Sequence, residues 1–552
     1  MQANWGLRVE GGLVTNTYDR RQFLTHSAAA AGGVVAAGAA VGELGLAGTA
    51  GAITKGGTLK MGVISEQNKP FNPAHANMDT SGFCYGRAIY DPLLVVGSNG
   101  QTVYPYLAAS LKPNATYTAW TVTARAGVKF HNGTPCNGDA IYANMKENFN
   151  STLTGPAVQA LVAGFTHTPG SNTVVIHTKH KWVTFPFTLA EQQISFIAEP
   201  TTLGPGYAGN PIGTGPFVLS TWNYNTAFIC TKNANYWRAG LPYLNQVEFH
   251  PIPDGPTRYA ALTSGALDII HEAEGDILKK FSTLGAGYTW QTDFPGKPKY
   301  APSSNCIMMN CTKAPFTNLN MRKGCAYALN QSKFVSVVDS GFSAPINGIF
   351  LAGSPYYKST PYPKYNVATA KKFIAKVPKS QRNFTLTYVA GSPAVLSAAT
   401  LVQNFLSKVG VNVTLNGVTQ GQLIGAAIFG VYQAMTWAQF GGVSPDLNHP
   451  WFSTKPPKGG TWLNFARNQD PKIESLMLQG MAATSAAARK NAWAAVNIRI
   501  QQDVPYLWID RVVLGVAARS NVQDWKTFKD PAGHPVLQPN QAVLFFTSTW
   551  KS

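Results

Sequence analysis

The chain has few charged side chains and no concentrated run of them. Asp, Glu, Lys and Arg make up 12% of the 552 residues, and no stretch of five or more Lys and Arg occurs. The 44 basic residues outnumber the 25 acidic ones, for a formal charge of +19, but they are scattered along the chain. Nucleic-acid-binding domains instead cluster basic residues on one face. The dispersed charge indicates a solvated surface, and no nucleic-acid partner is expected.

Cysteine is also scarce, with six residues in the whole chain. That number is too small for a disulfide-built scaffold of this length, and the absence of any C-x-x-C pair argues against a zinc ribbon or a thioredoxin-like site. One or two disulfides are compatible with an oxidising compartment, but the sequence leaves their pairing open. Cys306 and Cys311 lie five apart in an extended stretch, where their side chains point to opposite faces, so a bridge between them is not expected.

The motifs of common catalytic sites are missing. The chain has no G-x-x-x-x-G-K-[ST] loop, no G-x-S-x-G elbow and no H-E-x-x-H helix. His177 and His180 are three apart in an extended stretch and therefore face opposite sides, unlike metal ligands on one helix face. His131 is interpreted as a turn residue and not as a catalytic base. The sequence predicts no catalytic residue, no metal site and no cofactor.

The composition is nevertheless that of a folded, loop-rich protein. Apolar residues make up 45% of the chain, which also contains 52 Gly and 36 Pro. This proportion supplies enough apolar surface to offset the conformational entropy of the chain. The 13 Trp, 22 Tyr and 28 Phe are numerous, and aromatic side chains both fill cores and line small-molecule clefts.

The first fifty residues have the order of an export signal. Arg20 and Arg21 precede a weakly apolar run over residues 27–42, and a small-x-small cleavage site follows at residues 50–52. The paired arginines followed by x-Phe-Leu resemble a twin-arginine signal. The alternative is a buried Ala-rich helix that happens to follow two arginines. A membrane span is not expected, because the run is too short for one. We expect residues 1–52 to be removed. Because no cysteine lies near the cleavage site, we expect a soluble periplasmic protein without a lipid anchor.

The pattern of apolar residues and turn signals predicts an α/β fold. Residues 120–130 alternate apolar and polar side chains, residues 172–177 and 247–252 are further strand candidates, and a helix over 257–262 is closed by Gly265. Beyond residue 300 single helices separate the strands, which indicates βαβ units and a largely parallel sheet. In this part the predicted strands are 384–389, 411–415 and 432–437, and the predicted helices are 394–409 and 420–429, ending at Gly410 and Gly430.

Short motifs then carry a family resemblance in chain order. The sequence R-A-G-V-K-F-H-N-G-T-P at residues 125–135, with Asp139 after it, is the most specific of them, and G-T-G-P-F follows at 213–217. Others are P-Y-L-A-A-S at 105–110, N-Y-W at 235–237, I-P-D at 252–254, S-G-A-L-D at 264–268, P-F at 315–316 and M-R-K-G-C-A-Y-A-L at 321–329. Together they resemble the family 5 extracellular solute-binding proteins of ABC transporters, which serve dipeptide, oligopeptide and nickel importers.

The resemblance implies a two-lobed, periplasmic-binding-protein-like α/β fold of the class II type, with an extra mixed α+β subdomain inserted in the first lobe. The expected division is residues 53–92, 205–299 and 510–552 for lobe I, 93–204 for the inserted subdomain and 300–509 for lobe II. It further implies a monomeric, non-enzymatic protein that captures a peptide or peptide-like solute in the interlobe cleft and delivers it to ABC permease subunits. A secreted hydrolase on the same scaffold is the alternative, which multiple-turnover chemistry would reveal.

The resemblance also places the ligand. In peptide-binding members a Trp ends one strand of the large lobe, and an Asp three residues later captures the peptide α-ammonium. Here Trp437 matches the Trp, but Phe440 occupies the Asp position. Trp437 and Phe440 are expected to stack on the ligand beside the Gly441 backbone, and Asp446 is the nearest acid for an ammonium. A core role for Trp437 and a plain turn role for Asp446 are the alternatives.

In the opposite lobe, an early loop that faces the cleft in the family supplies three further candidate ligand-binding residues, which are Asn77, Asp79 and Thr80.

Overall fold

A computed structural model describes residues 53–292, 303–351, 354–359, 361–439, 441–456 and 461–552. The predicted export signal and Phe440 lie outside these residues. Residues 53–552 form one compact unit. Each of the six cysteines has a free thiol.

The first large sheet has seven strands, which come from the N-terminal part of the described chain and, in one case, from residues beyond 510. Its strands, in spatial order, are β12 (Tyr288–Thr292), β18 (Gly515–Arg519), β11 (Ile269–Glu272), β1 (Thr58–Val63), β10 (Gln246–Pro251), β9 (Ala227–Lys232) and β8 (Phe217–Asn223). The central strand β1 runs parallel to β10 and β11, whereas the outer pairs are antiparallel. The strand predicted at residues 247–252 is confirmed as β10, which buries every second residue.

The second large sheet has five strands. In spatial order they are β15 (Asn412–Val418), β14 (Asn383–Val389), β16 (Ala434–Gln439), β13 (Ser304–Met309) and β17 (Tyr506–Arg511). Strand β14 pairs in parallel with β15 and β16, so the predicted βαβ units are confirmed. The prediction of a largely parallel sheet is wrong for the remaining strands of this sheet, since β13 pairs antiparallel with β16 and β17. These two strands come from segments far apart along the chain, where no crossover helix imposes a parallel direction.

A smaller antiparallel sheet lies, along the chain, between β1 and β8 of the first large sheet. Its strands, in spatial order, are β4 (Ala108–Pro113), β5 (Ala119–Ala124), β7 (Thr173–Thr178) and β6 (Val162–His167). Strand β5 alternates half-buried and buried residues, as predicted, but it ends at Ala124 and not at residue 130, and the strand predicted at residues 172–177 is confirmed as β7. Two short pairs complete the strands: β2 (Leu94–Val96) with β3 (Val103–Pro105), and β19 (Val522–Gln523) with β20 (Trp550–Lys551).

Fourteen α-helices occur among the described residues. They are α1 (Thr80–Ile89), α2 (Gly138–Asn150), α3 (Gly155–Leu161), α4 (Phe185–Glu191), α5 (Gly255–Ser264), α6 (Gly275–Phe281), α7 (Leu319–Ala328), α8 (Gln331–Val338), α9 (Val367–Ala375), α10 (Pro393–Ser407), α11 (Gln420–Phe429), α12 (His449–Phe452), α13 (Pro471–Ala482) and α14 (Ala486–Asp503). None of these helices is long and apolar enough to cross a membrane.

Helix ends follow local chemistry closely. Helix α11 has the predicted bounds, because a capping box of Thr419 and Gln422 satisfies its first N–H groups and Gly430 ends it at φ +64°. Gly265 likewise ends α5 in a left-handed conformation, as predicted. His131 donates from Nε2 to the Gly215 carbonyl at 3.1 Å and accepts at Nδ1 from the Gly213 N–H at 3.3 Å, so it fixes a turn, as interpreted from the sequence.

Two large apolar clusters divide the interior. One surrounds the seven-stranded sheet and contains Phe228 and Phe249. The other covers the five-stranded sheet and continues without interruption into the four-stranded subdomain, where it includes Trp120 and Phe185. Although the subdomain is inserted into the first lobe along the chain, its apolar core is therefore continuous with that of the second.

Candidate ligand-binding cavity

A cavity of about 1110 Å³ lies where the two large sheets and the four-stranded subdomain meet. All three parts line it: helix α1 and residues 536–545 from the first, α3 and α4 from the subdomain, and β16 with the loop after it from the second. The volume is at the upper end of the ~300–1,000 Å³ typical of small-molecule sites. The cavity therefore has room for a ligand larger than a single amino acid.

Five of the seven residues predicted from the sequence line this cavity. They are Asn77, Asp79, Trp437, Gly441 and Asp446. Thr80 is the first residue of α1 and is not among the lining residues. The structure thus brings together residues that are about 360 positions apart in the chain.

The indole N–H of Trp437 is a hydrogen-bond donor without an acceptor in the described part of the chain. It lies near the end of β16, is half-buried, and packs edge-on against Phe465 with ring centroids 5.4 Å apart. Its indole N–H is buried and has no acceptor among the described residues. A buried donor without an acceptor is unfavourable by about 1–3 kcal/mol, so a ligand acceptor at this position would be stabilising.

Asp446 is occupied by protein groups. Its carboxylate is fully buried, and Oδ1 accepts from Arg489 Nη2 at 2.8 Å. Oδ2 accepts from Trp182 Nε1 at 2.8 Å and from the Thr184 hydroxyl. A ligand ammonium would have to displace these donors. The proposed role of Asp446 as ammonium anchor does not fit this geometry, because an arginine 43 residues further on, on α14, already neutralises it.

Asp79 is committed to local structure as well. It caps α1 by accepting from the Gly82 N–H at 2.9 Å, and it also accepts from Gln67 Nε2 at 2.9 Å and from the Ser65 hydroxyl. The Asn77 side chain is exposed, and its backbone N–H donates to Asn68 Oδ1 at 2.9 Å. Asn77 is therefore the freer of the two polar groups in this loop.

Glu191, at the end of α4, joins the subdomain to the second lobe. Its two carboxylate oxygens accept from the Val443 N–H at 2.8 Å and the Ser444 N–H at 3.0 Å. Burial raises the pKa of Glu191 to about 7, since it outweighs these hydrogen bonds, which act in the opposite direction. Sequence reasoning missed Glu191, because a single Glu at a helix end carries no signal of a partner 252 residues away.

Arg87 is the second functional candidate that the sequence did not indicate. It lies in the last turn of α1 and lines the cavity, with its guanidinium carbon 4.0 Å from the centre of the Phe545 ring. Its nearest described hydrogen-bond acceptor is the Val543 carbonyl, at 3.5 Å. Burial lowers the pKa of Arg87 to about 10, so it keeps its positive charge at neutral pH.

A pair of carboxylates lies beside the cavity. Asp339 lines it, and Asp510 on β17 is fully buried next to Asp339. Burial and the neighbouring Asp339 carboxylate raise the pKa of Asp510, so Asp510 is protonated at neutral pH. Among the described residues no group of three or more His, Cys, Asp or Glu side chains is arranged to hold a metal ion.

Comparison with known proteins connects this chain to a family. Residues 102–460 match the family description "Bacterial extracellular solute-binding proteins, family 5 Middle". The glutathione-binding protein GsiB of Shigella flexneri is 27% identical over 415 residues, which cover 71% of this chain and 77% of the relative. GsiB of Escherichia coli K12 is also 27% identical over the same length.

Solved structures share the fold over nearly the whole chain. The PBP AgaA of A. tumefaciens R10 in complex with agropinic acid superposes with a TM-score of 0.76 at 22% identity, covering 90% of this chain and 99% of the other. The oligopeptide-binding protein AppA of Bacillus subtilis, in complex with a nonapeptide, gives 0.74 at 21% identity, covering 91% and 100%. At this identity the likeness shows a common fold.

Proposed function

Because the chain belongs to the bacterial extracellular solute-binding proteins of family 5, we propose that its cavity captures a peptide or peptide-like solute for delivery to an ABC permease in the membrane. The observation that carries the ligand site is the cavity of about 1110 Å³, lined by all three parts of the fold. A ligand that touches all three parts favours their closed arrangement over an open one.

The relatives support this ligand class. GsiB is named for glutathione, a tripeptide-like molecule, and AppA was solved with a nonapeptide. AgaA was solved with agropinic acid, so the fold also accepts a small organic acid. Trp437 agrees with such a ligand, since its free indole N–H would donate to a carbonyl or carboxylate oxygen while the ring packs on the ligand.

We assign the binding surface to Trp437 and the Gly441 backbone in the second lobe and to Asn77 in the first, with Asp79 capping α1, which begins at Thr80, beside them. Asp446 contributes by joining the second lobe to the subdomain. The proposed division of the chain remains residues 53–92, 205–299 and 510–552 for lobe I, 93–204 for the inserted subdomain and 300–509 for lobe II.

Residues 1–52 act, in this proposal, as a twin-arginine export signal, and the protein works without turnover in the periplasm. The hydrolase alternative finds no support in the comparisons, whose named relatives are binding proteins.

The direct test is calorimetry with glutathione and with a mixture of di- to nonapeptides. We expect saturable binding at one site per chain, with each bound peptide recovered intact after prolonged incubation. Cleaved peptides released in excess over protein would support the hydrolase, and no heat from any peptide would refute the ligand class.

A further inference from the structure

Arg87 stands apart from the other charged residues around the cavity. Among the described lining residues, it is the basic one beside four acidic ones, which are Asp79, Glu191, Asp339 and Asp446. Asp79 caps a helix, Asp446 is paired with Arg489, and the Glu191 oxygens accept backbone N–H groups. None of the carboxylates in the described part of the chain lies within salt-bridge distance of Arg87.

Buried arginines elsewhere in the protein are well satisfied. Arg258 donates to Glu272 at 2.6 Å and to the His271 carbonyl at 3.1 Å. Arg322 donates to the Phe316 carbonyl at 2.6 Å and to the Asp503 carbonyl at 2.8 Å. Arg87 has only the Val543 carbonyl, at the limit of hydrogen-bonding distance. Arg87, which is half-buried, therefore has fewer protein acceptors than Arg258 or Arg322.

The surroundings of Arg87 are suited to an anion. Phe545 lies against the guanidinium at 4.0 Å, which orients the group while leaving donors free. A guanidinium presents its five N–H donors in a planar fork that matches the two oxygens of a carboxylate or phosphate. The Arg87 side chain is half-buried, so water screens its charge less than at the surface, and an anionic group that enters the cavity gains more at Arg87 than it would at an exposed arginine.

We propose that Arg87 is a binding residue that anchors an anionic oxygen group of the solute, a carboxylate in the first instance. This inference rests on the proposed capture of a peptide-like solute and specifies its chemistry: the ligand is held by its acidic end. It agrees with Phe440 in place of the family's ammonium-binding carboxylate and with the occupied state of Asp446, since neither position offers an ammonium a free carboxylate; Asp339 is the remaining acid of the second lobe in the cavity lining.

The first experiment compares acids with amides. Affinities of glutathione and of a tripeptide, each with free and with amidated carboxyl groups, are measured by calorimetry on the wild type, Arg87→Met and Arg87→Lys. We expect the wild type to prefer the free acid at least tenfold, Arg87→Met to abolish that preference, and Arg87→Lys to retain part of it because it keeps the charge but not the fork. Lys146→Met is the matched control, since Lys146 also lies over an aromatic ring, Tyr142, but on an exposed helix face.

A wild type that binds acid and amide equally, or an Arg87→Met variant that keeps the full preference, would overturn the proposal while leaving peptide capture intact.

The second experiment decides the case in which no peptide binds. The melting temperatures of the wild type, Arg87→Met and Arg87→Lys are compared in acetate, in phosphate and in chloride at equal ionic strength.

We expect acetate, phosphate or both to stabilise the wild type more than Arg87→Met, and the stronger of the two identifies the ligand group. Such a difference without peptide binding would refute the peptide class and retain the anion site. Equal shifts in the wild type and both variants, with no acid preference, would refute the anion site itself.

Discussion

The Asp446–Arg489 pair offers the sharpest test of how the second lobe holds the subdomain. Asp446 is fully buried and the Arg489 side chain is 9% exposed, so water cannot replace either partner. The substitution Asp446→Asn removes the charge that Arg489 needs and replaces one acceptor oxygen by a donor that faces Trp182 or Arg489. Breaking a buried pair from one side is destabilising by about 3–5 kcal/mol.

We therefore expect Asp446→Asn to lower the free energy of unfolding by about 3 kcal/mol or more in urea titrations. Asp470→Asn is the control. Asp470 pairs with Arg499, whose side chain is 38% exposed, and an Asn at that position can still cap α13. The control should change the free energy of unfolding by at most about 1 kcal/mol.

A double-mutant cycle separates the ion pair from a general packing defect. In the Arg489→Met background the lone carboxylate of Asp446 is itself unfavourable, so adding Asp446→Asn should be far less damaging than in the wild type. Equal effects of Asp446→Asn in both backgrounds, or an effect no larger than that of Asp470→Asn, would refute the reasoning. If the folded Asp446→Asn protein also loses ligand affinity while keeping its stability, Asp446 is a ligand anchor after all.

Four further outcomes follow from the site and the fold. Trp437→Ala should weaken binding of a peptide ligand about tenfold or more, ~1.4 kcal/mol, in calorimetry, and an unchanged affinity would return Trp437 to a core role. Burial lowers the pKa of His131 to about 4 and of His271 to about 3, so both stay neutral in the fold while the unfolded chain takes up protons below pH ~6.5. The contribution of these two histidines to the free energy of unfolding should thus fall as pH drops from about 6.5 towards 4, whereas the raised pKa values of Glu191 and Asp510 act in the opposite direction. The wild type should therefore lose more free energy of unfolding between pH 7 and pH 5 than His131→Gln, and equal changes in urea titrations of the two proteins would contradict this. Saturation with a bound peptide should reduce the radius of gyration measured by small-angle scattering, and an equal radius with and without peptide would argue against closure. Replacing Arg20 and Arg21 by Lys should leave precursor in the cytoplasm, as detected by immunoblotting of cell fractions, whereas normal export would remove the twin-arginine assignment.

The parts of the fold that the sequence predicts well are those controlled by nearby residues. Helix α11 has the predicted bounds because Thr419 and Gln422 cap one end and Gly430 terminates the other. The direction of β13 and β17 was not predictable, because pairing between segments about 200 residues apart depends on the tertiary fold and not on a local pattern.

The candidate site shows the same limit. Trp437 was found because a family motif marks the end of its strand, and it lines the cavity. Arg87 was not found, since an arginine in a helix has no local signal that a cavity lies beside it. Asp446 was identified as a nearby acid, but its partner Arg489 is on a separate helix and could be recognised only in three dimensions.

The contact made by Glu191 has a consequence for altering ligand preference. Its carboxylate binds the main-chain N–H groups of Val443 and Ser444 and does not depend on the identity of their side chains. Gln541 holds the Gly441 carbonyl in the same way, at 3.0 Å. Because the Val443 and Ser444 side chains are buried, ligand preference is better altered at other cavity-lining positions, with the main chain of this loop kept and proline, which has no N–H, excluded from positions 443 and 444.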